Sequence, residues 1–213
     1  MRSQLLNRLR NRWKASEVVD AAGPEFIART YAEHRDVRRY LCDVTARGAI
    51  SEACDVGAGY GRMCWVLSEF AEKVVAFERE QSFVDKGAFL QPVVDFRRVS
   101  ALTALPAPDD QFGMGLSFTV LQHLDDVTAR KTIGEIQRVV RPNGHALLCE
   151  ETDVSHQPGK QSATNRTSTH GRSVATYQAW MSPYTLVGSS PREIERGYPR
   201  TDVGTYMLFR APA

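Results

Sequence analysis

The sequence predicts an α/β fold built on a seven-stranded, mostly parallel sheet with an antiparallel last strand and helices on both faces. Three observations predict it. Short apolar runs alternate with helical patterns between residues 53 and 150, which is typical of βαβ units and a parallel sheet. A glycine-rich loop follows the first of these runs. Two further apolar runs come last and are separated by Gly197 and Pro199, as in strands that pair antiparallel.

The individual elements follow from hydrophobic spacing and from their start and stop residues. Gly23 and Pro24 mark the start of a helix whose apolar side chains recur at helical spacing up to Gly48. Strands are predicted at 53–56, 74–78, 93–99, 112–118, 145–150, 184–190 and 205–210. Further helices are predicted at about 60–71, 80–90, 127–140 and 173–181.

The length of 213 residues predicts one domain, because it is enough for one sizeable core and too short for two ordinary ones. Within that domain we expect N-terminal cap helices over 1–48, a binding core over 49–151, and a C-terminal helix and strand pair over 173–213. The segment 151–172 between them is rich in Ser, Thr, Asn and Gln. A polar loop of this length is usually functional or disordered, so we predict a mobile loop there.

Cysteine usage and hydropathy predict a soluble, cytoplasmic protein. The four cysteines form no CxxC pair, and two of them lie in predicted strands, so neither a disulfide framework nor a zinc site is indicated. No window approaches the roughly 18 apolar residues that a membrane span needs, and no signal-peptide core follows the basic start.

The first sixteen residues, MRSQLLNRLRNRWKAS, are basic and place Leu5, Leu9 and Trp13 on one helical face. This pattern fits an amphipathic helix laid against the domain, a surface-binding helix, a targeting peptide or a docking site for an acidic partner. The sequence leaves these alternatives open.

The loop within CDVGAGYGRMCW, residues 54–65, is the main functional signal. In an open α/β sheet, ligands bind beyond the carboxyl ends of the strands, where this loop begins. Its spacing is GxGxG, with Arg62 where the dinucleotide fingerprint GxGxxG needs a glycine. An acid that could bind ribose hydroxyls, Glu78, ends the second predicted strand. The pattern therefore indicates an adenosine cofactor and argues against NAD.

With Asp55 included, the loop reads DVGAGYG, and at this point the chain resembles the class I S-adenosylmethionine-dependent methyltransferases. The resemblance runs from about residue 53 to 151 and includes VSALTALPAPDDQFGMGLSFTVLQHLDD at 99–126 and RVVRPNGHALLCEE at 138–151. It implies a Rossmann-like methyltransferase fold, S-adenosylmethionine as cofactor and S-adenosylhomocysteine as product.

The resemblance also implies which residues hold the cofactor. The loop residues would lie under its methionine part and ribose, Glu78 would bind the ribose hydroxyls, and Arg79 would flank the adenine. Where the family commonly has an Asp against the adenine amino group, this chain has Ser100 followed by Ala101. The full set implied by the resemblance is Tyr31, Asp55, Gly57, Ala58, Gly59, Gly61, Glu78, Arg79, Ser100, Ala101, Phe118 and Thr119.

Methyl transfer can proceed by positioning alone, although a hydroxyl acceptor gains from a nearby base. His123, just after the fourth predicted strand, is the candidate base, with a packing role as its alternative. We expect His156 and His170 to lie in the mobile loop in contact with solvent, and Glu150 and Glu151 to project toward the cleft. The acidic pairs 109–110 and 125–126 lack further oxygen ligands, so we predict no metal.

The sequence favours a small-molecule acceptor, methylated on O or N. It lacks the NPPY-type motif of enzymes that methylate bases, and its formal net charge of +2 gives no support for nucleic-acid binding. A peptide or protein methyltransferase and an inactive module that binds an adenosyl ligand are the alternatives. The acceptor and the oligomeric state do not follow from the sequence.

Overall fold

The computed structural model describes residues 24–158, 169–192 and 204–213. The predicted helix within residues 1–16 lies outside these ranges. The helices are α1 (Pro24–Thr45), α2 (Cys64–Leu67), α3 (Gln81–Leu90), the short 3-10 helix η1 (Leu121–His123), α4 (Asp126–Val139) and α5 (Val174–Met181). The strands are β1 (Ile50–Val56), β2 (Ala71–Glu78), β3 (Asp95–Arg98), β4 (Phe112–Phe118), β5 (Val140–Glu151), β6 (Thr185–Pro191) and β7 (Gly204–Arg210).

The seven strands form one sheet in the order β3-β2-β1-β4-β5-β7-β6. Strands β1 to β5 pair in parallel, and β7 is antiparallel to both of its neighbours, β5 and β6. Strand β6 therefore runs in the same direction as β5. This confirms the predicted mostly parallel sheet with an antiparallel last strand.

The sheet is buried on both faces because helices cover each of them. Alternate residues of a strand point to opposite faces, and Ala53 and Cys54 accordingly belong to two different apolar clusters. On the Ala53 face the cluster includes Val37 and Leu41 of α1, and on the other it includes Ile133 of α4. The predicted placement of helices on both faces is thus confirmed. In the described ranges, no helix has the length and apolar character needed to cross a membrane.

The helix predicted at 60–71 is much shorter in the structure. Turns occupy 60–63, α2 covers only Cys64–Leu67, and β2 already begins at Ala71. Gly59 and Gly61 have φ angles of +58° and +85°, which a right-handed helix does not permit. The helical pattern in the sequence therefore extends over residues that the glycine loop keeps out of the helix.

The polar segment 151–172 is fixed at both of its described ends. Arg172 is buried, and its guanidinium donates to the Leu121 carbonyl at 2.8 Å and to the Asp126 carboxylate at 2.9 Å. His156 is also buried, with Nδ1 at 3.1 Å from a Glu151 carboxylate oxygen. The predicted solvent contact of His156 is wrong, because this side chain is buried and pairs with Glu151. The mobility of the segment stays a prediction. Residues 159–168 lie outside the described ranges.

Glu150 and Glu151 are buried beneath η1 and do not project into the cleft, contrary to the prediction. The Glu150 carboxylate accepts hydrogen bonds from Ser117 Oγ at 2.9 Å and from the Gln122 N–H at 3.1 Å. Burial raises the pKa of Glu150 to about 7, although these hydrogen bonds act in the opposite direction. Glu150 therefore links β5 to β4 and η1 as part of the scaffold.

The raised pKa of Glu150 makes stability depend on pH. The folded protein keeps the Glu150 carboxyl protonated at pH values at which the unfolded chain, with an ordinary pKa of 4.5, has released the proton. The contribution of Glu150 to the free energy of unfolding therefore falls as the pH rises from about 4.5 to 7. We expect Glu150→Gln, which cannot titrate, to gain up to about 3 kcal/mol relative to wild type between pH 5 and pH 8. Urea unfolding of both proteins at both pH values measures this gain.

The control for this experiment is Glu72→Gln, since Glu72 is exposed. That variant should follow the wild-type pH dependence throughout. Parallel pH profiles for Glu150→Gln and wild type would show that Glu150 titrates normally.

Candidate functional site

A cleft of about 560 Å³ opens at the carboxyl ends of β1, β2 and β4. This is the edge at which open α/β sheets bind ligands, and the volume is within the usual range for a small-molecule pocket. Its lining combines the glycine loop after β1, the start of α3 and the residues around η1. The lining residues are Arg29, Asp55, Gly57, Ala58, Gly59, Tyr60, Arg62, Met63, Glu78, Arg79, Glu80, Phe83, Leu102, Phe118, Thr119, Val120, His123 and Leu124.

The glycine loop takes a path that residues with side chains rarely adopt. Gly57 has a φ of +80°, and a Cβ there would lie 2.6 Å from the Val120 side chain. The N–H groups of Gly57 and Ala58 donate to the Phe77 carbonyl at 2.8 and 3.1 Å. The loop is thereby drawn over the end of β2, and its backbone forms a cradle facing Val120.

Glu78, at the end of β2, is held by three backbone N–H groups. Its Oε2 accepts from Gly59 at 2.8 Å, and its Oε1 accepts from Arg79 at 2.7 Å and from Glu80 at 2.9 Å. Charge-assisted bonds of this kind fix a carboxylate firmly. A carboxylate oxygen offers about two acceptor positions, so Oε2 retains one for a ligand hydroxyl. The residues present therefore fit a ribose-containing cofactor.

Asp55 lies in β1, directly below the glycine loop, and is buried. Burial raises the pKa of Asp55 to about 7, and the nearby Glu78 charge acts in the same direction. The Cys64 thiol donates to its Oδ2 at 3.5 Å, which partly offsets the effect. Asp55 can therefore gain or lose a proton near neutral pH, at the edge of the cleft.

The opposite wall of the cleft is formed by the end of β4 and by η1. Phe118 ends β4, and the Arg62 guanidinium carbon lies 5.1 Å from the centre of its ring. Thr119 has a φ of +57°, and its N–H donates to the Cys149 carbonyl at 2.8 Å. This left-handed residue turns the chain from the strand into η1 and so places His123 on the cleft wall.

His123 borders the cleft while keeping contact with solvent. The surrounding atoms displace water from its ring and lower its pKa, and the neighbouring His170 lowers it further. The backbone N–H of His170 donates to the Gln122 carbonyl at 2.7 Å, which positions this residue. At neutral pH His123 is therefore an uncharged imidazole that can accept a proton.

A buried carboxylate, Glu33 of α1, organises the arginines beside the cleft. It pairs with Arg29 at 3.0 Å, with Arg192 at 3.8 Å and with Arg62. Burial alone would raise the pKa of Glu33, but the three guanidinium groups outweigh burial and lower it. Since Arg29 and Arg62 line the cleft, Glu33 holds two cationic side chains in the cleft wall.

The structure brings most of the predicted cofactor residues together. Those that line the cleft are Asp55, Gly57, Ala58, Gly59, Glu78, Arg79, Phe118 and Thr119, together with the candidate base His123. Four others are placed outside its lining. Tyr31 is 68% exposed on α1, Ser100 is exposed, and Ala101 is half-buried. Gly61 is buried, and a Cβ there would lie 2.5 Å from the Phe96 ring.

These four placements have local causes. Gly61 closes the loop against the Phe96 ring. Ser100 and Ala101 precede Leu102, which reaches the cleft in their place. On α1, Arg29 rather than Tyr31 faces the cleft. None of these four residues lines the cleft, and the cofactor contacts implied for them stay predictions.

Several lining residues were not anticipated from the sequence. Arg29, Tyr60, Met63, Glu80, Phe83, Leu102, Val120 and Leu124 lie in or next to predicted elements, but their spacing carries no chemical signature. Arg62 was noted only as a departure from the dinucleotide fingerprint. Within the described ranges, no group of three or more His, Cys, Asp or Glu side chains is arranged to hold a metal ion.

Comparisons with known proteins agree with this arrangement. Residues 54–148 match the family described as "Methyltransferase domain". A probable S-adenosylmethionine-dependent methyltransferase of Mycolicibacterium smegmatis is 27% identical over 119 residues, which cover 56% of this chain and 45% of that protein. The match thus spans less than half the length of this curated relative.

Two solved structures share the fold at lower identity. A SAM-dependent methyltransferase from Leishmania major superposes with a TM-score of 0.71 at 16% identity, covering 92% of this chain and 77% of that one. The N-methyltransferase NodS from Bradyrhizobium japonicum, solved with S-adenosyl-L-homocysteine, gives a TM-score of 0.65 at 16% identity and covers 90% and 89%. At such identities the likeness concerns the fold alone.

The glycine loop after β1 and the acid that ends β2 both lie within the part of the chain that this family matches. Residues 54–148 of this chain are thus similar to the methyltransferase domain family, and the described chain shares its fold with solved S-adenosylmethionine-dependent methyltransferases.

The Glu33 cluster predicts a large effect on stability. Glu33→Gln would leave three guanidinium groups close together without their shared counter-ion, so we expect unfolding to become easier by about 3–5 kcal/mol. Glu69→Gln is the matched control, because Glu69 pairs with Arg38 at 2.6 Å on the exposed surface. It should cost at most about 1 kcal/mol. Urea unfolding at pH 7 compares the two, and equal losses would contradict the role assigned to Glu33.

Proposed function

We propose that this protein is an enzyme that transfers a methyl group from S-adenosylmethionine to an oxygen or nitrogen atom of a small-molecule acceptor. The observation that carries the proposal is the Glu78 carboxylate, fixed by three backbone N–H groups next to the glycine cradle. A rigid acceptor at this edge of the sheet suits the ribose hydroxyls of an adenosyl cofactor.

In this proposal, the other lining residues contact different parts of the cofactor. Arg79 is exposed beside Glu78, and its planar guanidinium can stack on the adenine. Asp55 and the Gly57–Gly59 backbone would lie under the methionine part. Arg29 and Arg62 would attract a negatively charged group, which is either the cofactor's carboxylate or a group on the acceptor.

When bound, S-adenosylmethionine supplies an electrophilic methyl group on a sulfonium ion. The chain's own contribution is to orient the acceptor in line with that group and to exclude water, which can account for a large part of the rate. Phe118 and Arg62 form the wall next to which the acceptor would lie. The buried ends of the 151–172 segment hold η1 in place behind that wall.

His123 is proposed as the base for an acceptor that must lose a proton. Its lowered pKa leaves it neutral at pH 7, and its position on the cleft wall gives it access to a bound acceptor. An amine that is already deprotonated would not need it, so the effect of replacing His123 depends on the acceptor atom.

Cofactor binding is the first test, and it requires no knowledge of the acceptor. Calorimetric titration should show micromolar binding of S-adenosylhomocysteine and S-adenosylmethionine, about −8 kcal/mol, and none of NADH. Glu78→Ala should weaken the binding of both adenosyl ligands by roughly 1.5–3 kcal/mol, because a charge-assisted hydrogen bond to the ribose is lost. Glu52→Ala, at an acid of β1 outside the cleft lining, should leave affinity unchanged. Absence of adenosyl binding by folded wild-type protein would overturn the proposal.

Turnover is the second test, using small-molecule acceptors screened by the mass of the methylated product. For a hydroxyl acceptor, His123→Ala should lower kcat by about 100-fold or more while the affinity for S-adenosylhomocysteine is unchanged. The wild-type rate should rise with pH as His123 loses its proton, with a midpoint below 6.5, its ordinary pKa. Full activity in His123→Ala would assign this residue a packing role. Adenosyl binding without methylation of any acceptor would instead favour a binding module.

A further inference from the structure

A second hollow, of about 430 Å³, lies at the edge of the sheet opposite the cleft. It is lined by the end of α1, the loop before β1, the start of β4, the first part of β5 and the end of β7. Strand β1 spans seven residues between the two sites, which separates them by roughly 20 Å. The hollow therefore has no part in the proposed methyl transfer.

The charges around this hollow have one sign. Arg47, Arg141 and Arg210 line it together with His145 and Asn143, and none of its lining residues is an Asp or a Glu. In the described part of the chain, no ion pair involves any of the three arginines. Arg210 donates a hydrogen bond to Asn143 Oδ1 at 3.1 Å, which leaves its positive charge uncompensated.

An irregularity between β4 and β5 builds the hollow. Phe112 pairs with Val140 and Met114 with His145, so that residues 141–144 have only Gly113 opposite them and bulge out. Asn143 has a φ of +60°, which turns the bulge. A Cβ on Gly113 would lie 3.2 Å from Arg141 Nη2. The absence of a side chain at Gly113 thus lets the Arg141 guanidinium lie over β4 as part of the floor.

The pKa of His145 depends on the charges around the hollow. It is buried and stands directly opposite Arg210 in the β5–β7 pairing. Burial lowers the pKa of His145, and Arg210 and Arg47 lower it further. The charged groups that act on it, Arg47 from the loop after α1 and Arg210 from β7, are therefore cationic, and an anion bound among them would raise its pKa.

We propose that this hollow is a binding site for a small phosphorylated anion, held through its phosphate groups by Arg47, Arg141 and Arg210. Guanidinium groups bind phosphate oxygens through paired N–H donors, which gives them an advantage over other cations. Three uncompensated charges suit a multiply charged phosphate better than a single carboxylate. The volume also exceeds that of one phosphate and accommodates a diphosphate or a phosphate ester.

The test uses the full chain and inorganic pyrophosphate, with ionic strength kept constant by sodium chloride. The ring signals of the five histidines are followed by NMR, and His145 is identified from its loss in His145→Gln. We expect the His145 signal to shift to saturation and its pKa to rise. Arg47→Ala and Arg141→Ala should each weaken binding about tenfold or more. Both side chains are exposed, so the variants should fold, and circular dichroism verifies this.

Lys131→Ala is the matched control, since Lys131 is an exposed cation on α4, and it should bind pyrophosphate like wild type. In a second arm, ADP replaces pyrophosphate. Binding equal to or tighter than that of pyrophosphate, with the same dependence on Arg141, supports recognition through phosphate. Parallel shifts of all histidines would indicate screening alone and overturn the proposal, as would unchanged affinity in Arg47→Ala and Arg141→Ala.

Discussion

The candidate site depends on a carboxylate that the backbone holds in place. Glu78 accepts N–H groups from the loop after β1 and from the start of α3, so one side chain joins two connections that leave adjacent parallel strands. The glycine loop can reach it because Gly57 and Gly59 adopt positive φ angles, and the same loop carries Arg62 to Phe118 on the far wall. Loss of this carboxylate would leave three N–H groups without their acceptor, which makes Glu78 important for the shape of the cleft as well as for binding.

A second buried carboxylate organises the region beside the cleft in a comparable way. Glu33 gathers Arg29, Arg62 and Arg192 from α1, the glycine loop and the end of β6. Buried charges are stable only when they are paired, and here the pairing also orients cations toward the cleft. The basic hollow at the other edge of the sheet differs in this respect, because none of the carboxylates in the described ranges pairs with its three arginines.

The sequence predicted the fold well because most strands carried an apolar pattern and most connections between parallel strands carried a helical one. It also predicted the cleft residues that belong to the glycine loop and to strand ends, since their chain position determines which edge they reach. Tyr31 and Arg29 show the limit of such reasoning. Both lie on α1, and only the rotation of the helix decides which of them faces the cleft.

Burial of polar groups was the other feature that the sequence could not reveal. Glu150 and Glu151 were expected to project toward the cleft, and His156 to lie in a polar loop in contact with solvent. All three are buried instead, and their polar atoms pair with one another or with groups around η1. These polar groups and their partners are far apart in the chain, as with Arg172 and Leu121, so no local sequence pattern predicts the contacts. The bulge at 141–144 was hidden for the same reason, because only the register against β4 shows that these residues have no paired residues in that strand.

The position of β7 has a consequence for how the chain is made. This strand is the last of the seven in sequence, yet it lies inside the sheet, between β5 and β6. Until it emerges from the ribosome, β5 presents an open edge and β6 has no strand to pair with. Until then, β5 and β6 expose unpaired backbone N–H and C=O groups, and such groups promote aggregation. The sheet, and with it the final positions of β5 and η1 behind the cleft, can therefore be completed only after its six other strands have been synthesised.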